Sequence, residues 1–304
     1  MKKSYGYVLL TALLFGSMEV ALKIGGVTFD AIQLTFIRFF IGGLILLPFA
    51  ILDLKKRQVI LTKGDLGYLF VLGFVCICIS MLLFQVGVMN INANLAAMII
   101  SINPVFTMIF SHFLVNEKFT WKKALVLIIS IIGLIIVMNP AKLMSGENNI
   151  WFVLVTLVAA ISFGFYTAFG KKRIGKLGGL TLNSVSFLMG SGTLLLMLVL
   201  TGGPILQGIS LETTPLLLYL GVFVTGIGYY FYVKIIEISG PSTASIAFFI
   251  KPVIAPVIAF FILGEAITLN IVIGLVFILL GCTINLVQTD KLLHILNLND
   301  LFIK

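Results

Sequence analysis

Three charged residues stand inside otherwise apolar stretches: Glu19 in MEVALK, Arg38 in FIRFF and Lys251 in FFIKPVIAP. A charge at the middle of a lipid-spanning helix costs roughly 2.5–3.5 kcal/mol on insertion scales, so such residues face the protein interior and mark ion, proton or substrate paths. A buried glutamate can pair with a cation or titrate with a moving proton. A desolvated lysine can stay neutral, pair with an acid, or regain its charge when a carboxylate or phosphate arrives. Prolines accompany the lysine. Pro104, Pro252 and Pro256 lack a backbone donor and leave the carbonyls of Ile100, Phe248 and Pro252 free. Freed backbone at membrane depth is tolerated where it is buried in protein or lines water, so these prolines read either as plain kinks or as helix breaks beside a cavity, with a gating role. Gln85, Asn94, Asn103, Tyr166, Tyr229 and Tyr232 are polar groups that would line such a pocket with Lys251, or else form hydrogen bonds between helices.

Bond-making chemistry finds no such support. Cys76, Cys78 and Cys282 lie inside apolar runs without metal-ligand spacing, and His112 and His294 are far apart. No glycine-rich loop followed by Lys-Ser or Lys-Thr is present for a nucleotide. The sequence therefore predicts no catalytic residue, no metal, no cofactor and no enzyme activity.

The elements that carry these residues are long and greasy. Six residues in ten are hydrophobic (60%) and only 10% are charged, and about 20 residues of helix cross a hydrocarbon core. Segments such as ALVLIISIIGLIIV have no polar face, which excludes a soluble α/β enzyme. Ten spans are predicted: 5–24, 31–52, 67–89, 94–115 and 123–139, then 150–170, 180–201, 215–238, 243–263 and 270–288. The basic, apolar N-terminus resembles a signal peptide but lacks a small-residue cleavage site, and its counterpart lies mid-chain, so it is read as a spanning helix.

The two groups of five are copies. With a shift of 148 positions and no gap, Phe15 falls on Phe163, Gly16 on Gly164, Phe39 on Phe187, Gly73 on Gly221, Pro104 on Pro252 and Glu117 on Glu265, while Asn103 becomes Lys251. Five crossings are an odd number, so the copies enter the membrane from opposite sides. The expected fold is an all-α membrane protein of ten transmembrane helices in two inverted-topology repeats, residues 1–148 and 149–289, followed by a cytoplasmic tail, 290–304. Inverted repeats are the architecture of secondary transporters, with the site between the halves.

The net charge of +9 is a topology signal. With the N-terminus inside, the cytoplasmic segments hold Lys55, Lys56, Arg57, Lys63, Lys118, Lys122, Lys123, Lys171, Lys172, Arg173, Lys176 and Lys234, and the opposite loops hold only Lys142, with Lys23 at a helix end. This predicts a multi-pass protein of the cell membrane with both termini cytoplasmic, and removes nucleic acid as a partner. At about 1.5 Å per residue, Glu19 lies roughly 20 Å from the cytoplasmic side, Arg38 about 10 Å below the outer surface, and Lys251 about 12 Å from the inside. Glu19 and Arg38 at similar depth are expected to form an ion pair orienting the first helix on the second, with Lys23 as an i+4 alternative. The rival is a proton site at Glu19. Lys251 has no acid at its own depth. It is neutral, reaches Glu19 across the halves, or faces a wet cavity as anion ligand, and the last is the leading expectation. Glu117 and Glu265 read as loop and helix-packing anchors.

FGS at 15–17, IRFF around Arg38, INPVFTMIFSHFLVNE at 102–117 and KPVIAPVIAFFILGE at 251–265 resemble the EamA family of the drug/metabolite transporter superfamily over nearly the whole chain. The family usually has Trp where Phe15 stands and Gly where Asn116 stands. The resemblance implies a monomeric or homodimeric carrier of small metabolites, amino acids or drugs through a central cavity. Lys251 is similar to the basic residue that phosphate-exchanging relatives place on this helix, which implies an anionic substrate. The expected function is thus secondary-active transport of a small metabolite, anionic or amino-acid-like, by alternating access, with a coupling proton as a further partner. Efflux of hydrophobic compounds is the alternative within transport, and a non-transporting scaffold the alternative outside it.

Overall fold

The computed structural model describes residues 2–286 except 119, 139–148 and 246. The predicted tail, 290–304, lies outside the described residues, as does Lys142. Ten helical spans occur among the described residues, each beginning and ending within several positions of its expected place. They are α1 (Lys2–Gly16 continuing as Met18–Thr28), α2 (Ala31–Arg57), α3 (Lys63–Gly73, Phe74–Met81 and Leu82–Asn90), α4 (Ala93–Ile100 and Asn103–Val115) and α5 (Trp121–Met138). The second half supplies α6 (Ile150–Leu177), α7 (Gly179–Thr201), α8 (Thr214–Leu218, Tyr219–Gly228 and Tyr229–Ser239), α9 (Pro241–Ala244 and Ala247–Leu263) and α10 (Leu269–Leu286). Seven are long and apolar enough to cross a membrane by length and composition; α5, α9 and α10 contain shorter apolar helices.

Local chemistry sets the ends. Asp30 accepts from the backbone N–H of Ile32 at 2.7 Å and Gln33 at 2.8 Å to start α2, and Lys55, Lys56 and Arg57 fill its last turn, where cations complement the helix dipole. Thr62 and Asp65 form a reciprocal capping box at the start of α3. Interior breaks fall where sequence weakens the helix. α4 turns at Ser101–Ile102, just ahead of Pro104, and the Asn103 amide donates to the Ile100 carbonyl at 2.9 Å, the acceptor that Pro104 leaves free. Phe74–Met81 of α3 and Tyr219–Gly228 of α8 are wound as π-helix at equivalent places in the two halves, a wider winding often found at functional positions.

The halves interlock. α1 packs on α8 and α9, and its equivalent α6 packs on α3 and α4, so each first helix leans on the other half's third and fourth. α2 lies against α7, and α5 against α10, each pair made of equivalent helices. Glycine permits two of the crossings. A Cβ on Gly73 would sit 2.1 Å from the Ser186 carbonyl oxygen, and one on its equivalent Gly221 would sit 2.6 Å from Ile41 Cγ2. The residues they meet are also equivalent in kind, since Gly73 faces Gly190 on α7 and Gly221 faces Gly42 on α2. Met81 and Tyr229, equivalent to one another, touch directly through Sδ and the hydroxyl at 3.1 Å, which marks the pseudo-two-fold axis. Side chains such as Leu200 and Phe261 are more than three-quarters exposed on the outer flank, where apolar lipid would meet them.

Candidate functional site

The predicted central charges come together, in a different pairing from the expected one. α1 is interrupted at Ser17, whose hydroxyl donates to the Leu14 carbonyl at 3.0 Å and also meets the Tyr219 hydroxyl. Glu19 therefore lies in the first turn of a new helical segment, where a carboxylate is favoured by the free N–H groups. Its carboxylate is ion-paired with the Lys251 ammonium of α9. Both side chains are fully enclosed. The Lys251 nitrogen also stands 5.4 Å from the ring centre of Phe84 and 5.5 Å from that of Phe248, within cation–π range.

Glu19 is thus held by Lys251, and the expected Glu19–Arg38 pair gives way to it. Helix rise alone set the expected depths, but the break at Ser17 and the reach of a lysine side chain close the gap between α1 and α9. Lys23, the other expected partner, donates to the Ile91 carbonyl at 2.5 Å instead. The open pocket expected beside Lys251 is likewise replaced by this enclosed contact across the two halves.

Arg38 is buried without a carboxylate. Nη1 donates to Met18 Sδ at 3.7 Å, and the guanidinium carbon stands 4.5 Å from the ring centre of Phe39. Nε and Nη2 have no hydrogen-bond partner within the protein. Around it runs a shell of aromatic rings, of which the sequence reading singled out only Tyr229 as a pocket residue. Phe39 meets Phe187 at 4.9 Å between centres, Phe187 meets Tyr229 at 5.1 Å, and Tyr229 meets Phe15 at 5.0 Å. Phe163 continues the shell to Phe248 at 5.2 Å. Phe15 with Phe163 and Phe39 with Phe187 are pairs under the 148-residue shift, the signal that would have found them.

The other predicted pocket residues, Gln85, Asn103, Tyr166 and Tyr232, are likewise buried. Gln85 Nε2 donates to the Leu22 carbonyl at 3.3 Å, one turn beyond Glu19, and its Oε1 is unpartnered. Tyr166 donates to Asn183 Oδ1 at 3.2 Å, and Tyr232 shares a hydrogen bond with Thr167 at 2.9 Å. Asn103 is the cap on Ile100, with Oδ1 unpartnered. Pro252 and Pro256 lie inside α9 directly after the lysine.

Glu117 and Glu265 occupy mirrored latches. Glu265 accepts from the backbone N–H of Ala93 at 2.7 Å and of Asn94 at 2.9 Å at the start of α4. Glu117 accepts from the Ser242 hydroxyl at the start of α9, and Ser242 is the equivalent of Asn94. At the end rich in lysine and arginine, Arg57 bridges Asp53 at 2.8 Å and Glu237 at 2.7 Å, while Asp65 holds Arg173 at 2.7 Å and Lys176 at 2.5 Å. A recess of about 430 Å³ on the outer flank, lined by Ile45, Phe49, Leu180, Val222 and Tyr230 among others, is apolar and contains none of the candidate residues.

Two interlocked five-helix halves matter here because the EamA-like transporter family profile matches the chain twice, over residues 2–139 and 150–287. The chain belongs to the EamA-like transporter family. A protein named an uncharacterized transporter, from Clostridium kluyveri, is 40% identical over 296 residues, covering 96% of this chain and 95% of that one. An S-adenosylmethionine uptake transporter from Rickettsia bellii is 27% identical over 171 residues, 56% of each chain. A solved crystal structure superposes with a TM-score of 0.70 at 15% identity, covering 96% of this chain and 99% of that one, which shows a shared fold. As an EamA-like protein of the drug/metabolite transporter superfamily, the chain is a multi-pass membrane transporter and not an enzyme.

Proposed function

We propose that this EamA-like protein is a secondary-active carrier that moves a small anionic or amino-acid-like metabolite across the cell membrane by alternating access between its halves. One observation carries the reading: Glu19 from the first half and Lys251 from the second form a fully buried ion pair across the interface that must rock. Separating such a pair without replacement costs about 3–5 kcal/mol, because an uncompensated charge is left in low dielectric. A substrate charge brought close to the pair, or a proton taken up by Glu19, changes that cost, which couples occupancy of the centre to movement of the halves. The mirrored latches of Glu117 and Glu265 fit the same cycle, since one lies at each end of the bundle. Gathering of Arg57, Asp65, Arg173, Lys176, Lys234 and Glu237 at one end supports an orientation with both termini cytoplasmic. The carrier is a monomer or a homodimer.

Reconstitution into proteoliposomes tests the reading. Solute flux under a substrate or pH gradient is expected, and Glu19→Gln or Lys251→Ala should abolish it in protein that still folds. Single cysteines at Gln58 and at Val27 should label from opposite faces. S-adenosylmethionine belongs in the first substrate set because of the Rickettsia relative. Flux unaffected by both substitutions would refute the central role of the pair.

A further inference from the structure

We infer that Arg38, and not Lys251, is the ligand for the anionic group of the substrate, and that the site is built for a monocarboxylate carried on a flat apolar body. The inference rests on the carrier reading and narrows its substrate class. Four charged side chains are fully buried among the described residues: Glu19, Arg38, Asp65 and Lys251. Asp65 is held at the charged end by Arg173 and Lys176. The centre therefore contains one acid and two bases, and once Glu19 and Lys251 cancel, one positive charge remains on Arg38.

The free part of that guanidinium has a defined shape. Nη1 is turned to Met18 Sδ, leaving Nε and Nη2 without a partner. Those two nitrogens lie along one edge of the plane, the edge whose parallel N–H groups take both oxygens of a carboxylate. The same edge of Arg57 engages Asp53 through Nε and Glu237 through Nη2 elsewhere in this protein. Buried donors are normally satisfied, so an unmatched pair on a charged group points to a ligand as the missing acceptor. The titratable groups that bear on Arg38 are Tyr229, Cys76, Glu19 and Lys251, and Glu19 is ion-paired with Lys251. No second acid competes for the edge among the described residues.

Charge balance sets the valence. A monoanion brings the centre to zero, a dianion overshoots, and a zwitterion leaves the excess charge in place. The body of the ligand follows from the rings around Arg38. Phe39 lies under the guanidinium, and Phe15, Phe187 and Tyr229 continue the wall, which suits a flat apolar group stacking beside its own carboxylate.

The test uses the purified full chain in detergent and reads the thermal unfolding midpoint with 3-phenylpropionate, 3-phenylpropionamide, L-phenylalanine or phthalate at millimolar concentration. Only the monocarboxylate is expected to raise the midpoint appreciably. Arg38→Gln should weaken its Kd by roughly 100-fold or more, as for loss of one partner of a buried charged hydrogen bond. Arg38→Lys, which keeps the charge and loses the fork, should bind at an intermediate level and serves if the glutamine variant does not fold. An equal shift with the amide, unchanged binding in both Arg38 variants, or no shift by 3-phenylpropionate would each overturn the assignment. The carrier reading fails separately. Flux of neutral or cationic solutes without any carboxylate response would sink Arg38 and leave transport standing, whereas carboxylate binding with no flux of any solute would do the reverse.

Discussion

Replacing Lys251 with Met removes the only ion-pair partner of Glu19 among the described residues and leaves a carboxylate with no exposure to solvent. Loss of one member of a buried pair costs about 3–5 kcal/mol, whereas replacing both members by apolar or neutral groups of similar size is often neutral or stabilising. Glu19→Gln should carry a comparable penalty, because the ammonium is then stranded between Phe84 and Phe248. At roughly 2–4 °C per kcal/mol for a chain of this order of size, each single variant should lower the unfolding midpoint by about 6–20 °C. The double variant, Glu19→Gln with Lys251→Met, should recover most of that loss. The assay is thermal unfolding of detergent-solubilised protein, read by loss of the monodisperse peak, for wild type, both singles and the double. A double-mutant cycle then gives the coupling directly. If the penalties of the singles simply add in the double, the two side chains are not energetically a pair, and the reasoning from burial collapses. Transport distinguishes stability from mechanism: the double variant should be folded and inactive.

Three further outcomes follow from the same geometry. Glu265→Ala should remove two charge-assisted hydrogen bonds, each worth roughly 1.5–3 kcal/mol, and hydrogen exchange should quicken at Ala93 and Asn94 but not at Ser242. Gly73→Ala puts a methyl group 2.1 Å from a backbone carbonyl oxygen and should destabilise strongly or prevent folding. Gly175→Ala meets nothing within 4 Å and should gain about 0.5–1 kcal/mol, both read as unfolding midpoints. Asn103→Leu should cost about 1–3 kcal/mol by stranding the Ile100 carbonyl, and the loss should be smaller for Asn103→Ser, which keeps a donor.

The ten helices were legible because an apolar run of spanning length has few alternatives in lipid, and because the 148-residue shift repeats every one of them. The anchoring of Glu117 and Glu265 was legible for the same reason, but the exchange between halves was not: a linear repeat shows that two positions are equivalent and not which copy each one touches. The sequence offered the meeting of Lys251 with Glu19 as one of three outcomes and did not single it out. Rise per residue estimates depth along a helix, yet pairing also needs the direction a side chain faces and the place where the helix breaks. Ser17 carries no obvious break signal, and the widened turns at Phe74–Met81 and Tyr219–Gly228 have none. Arg38 was picked out as charged and buried, but its lack of a carboxylate became visible only once Glu19 was found to be occupied elsewhere.

The frame is symmetric and the charges are not. Gly73 and Gly221, Phe15 and Phe163, Phe39 and Phe187, and Glu117 and Glu265 obey the repeat, whereas Glu19 faces Thr167 under the same shift, Arg38 faces Ser186, and Lys251 faces Asn103. Each half of that division has its own cause. A carrier built from inverted repeats can reach its opposite-facing form by letting the halves exchange conformations, and the two forms stay close in energy only if the packing surfaces are interchangeable. Close glycine crossings, ring contacts and end latches are those surfaces, so substitution at one copy should bias the protein toward one face. A small metabolite has no two-fold axis of its own. A site that recognises it near the pseudo-axis must therefore break the repeat, and the break appears where one carboxylate and two cations replace a threonine, a serine and an asparagine. The departures from symmetry converge on one buried ion pair and one free guanidinium edge, the groups to which the proposed reading assigns the substrate.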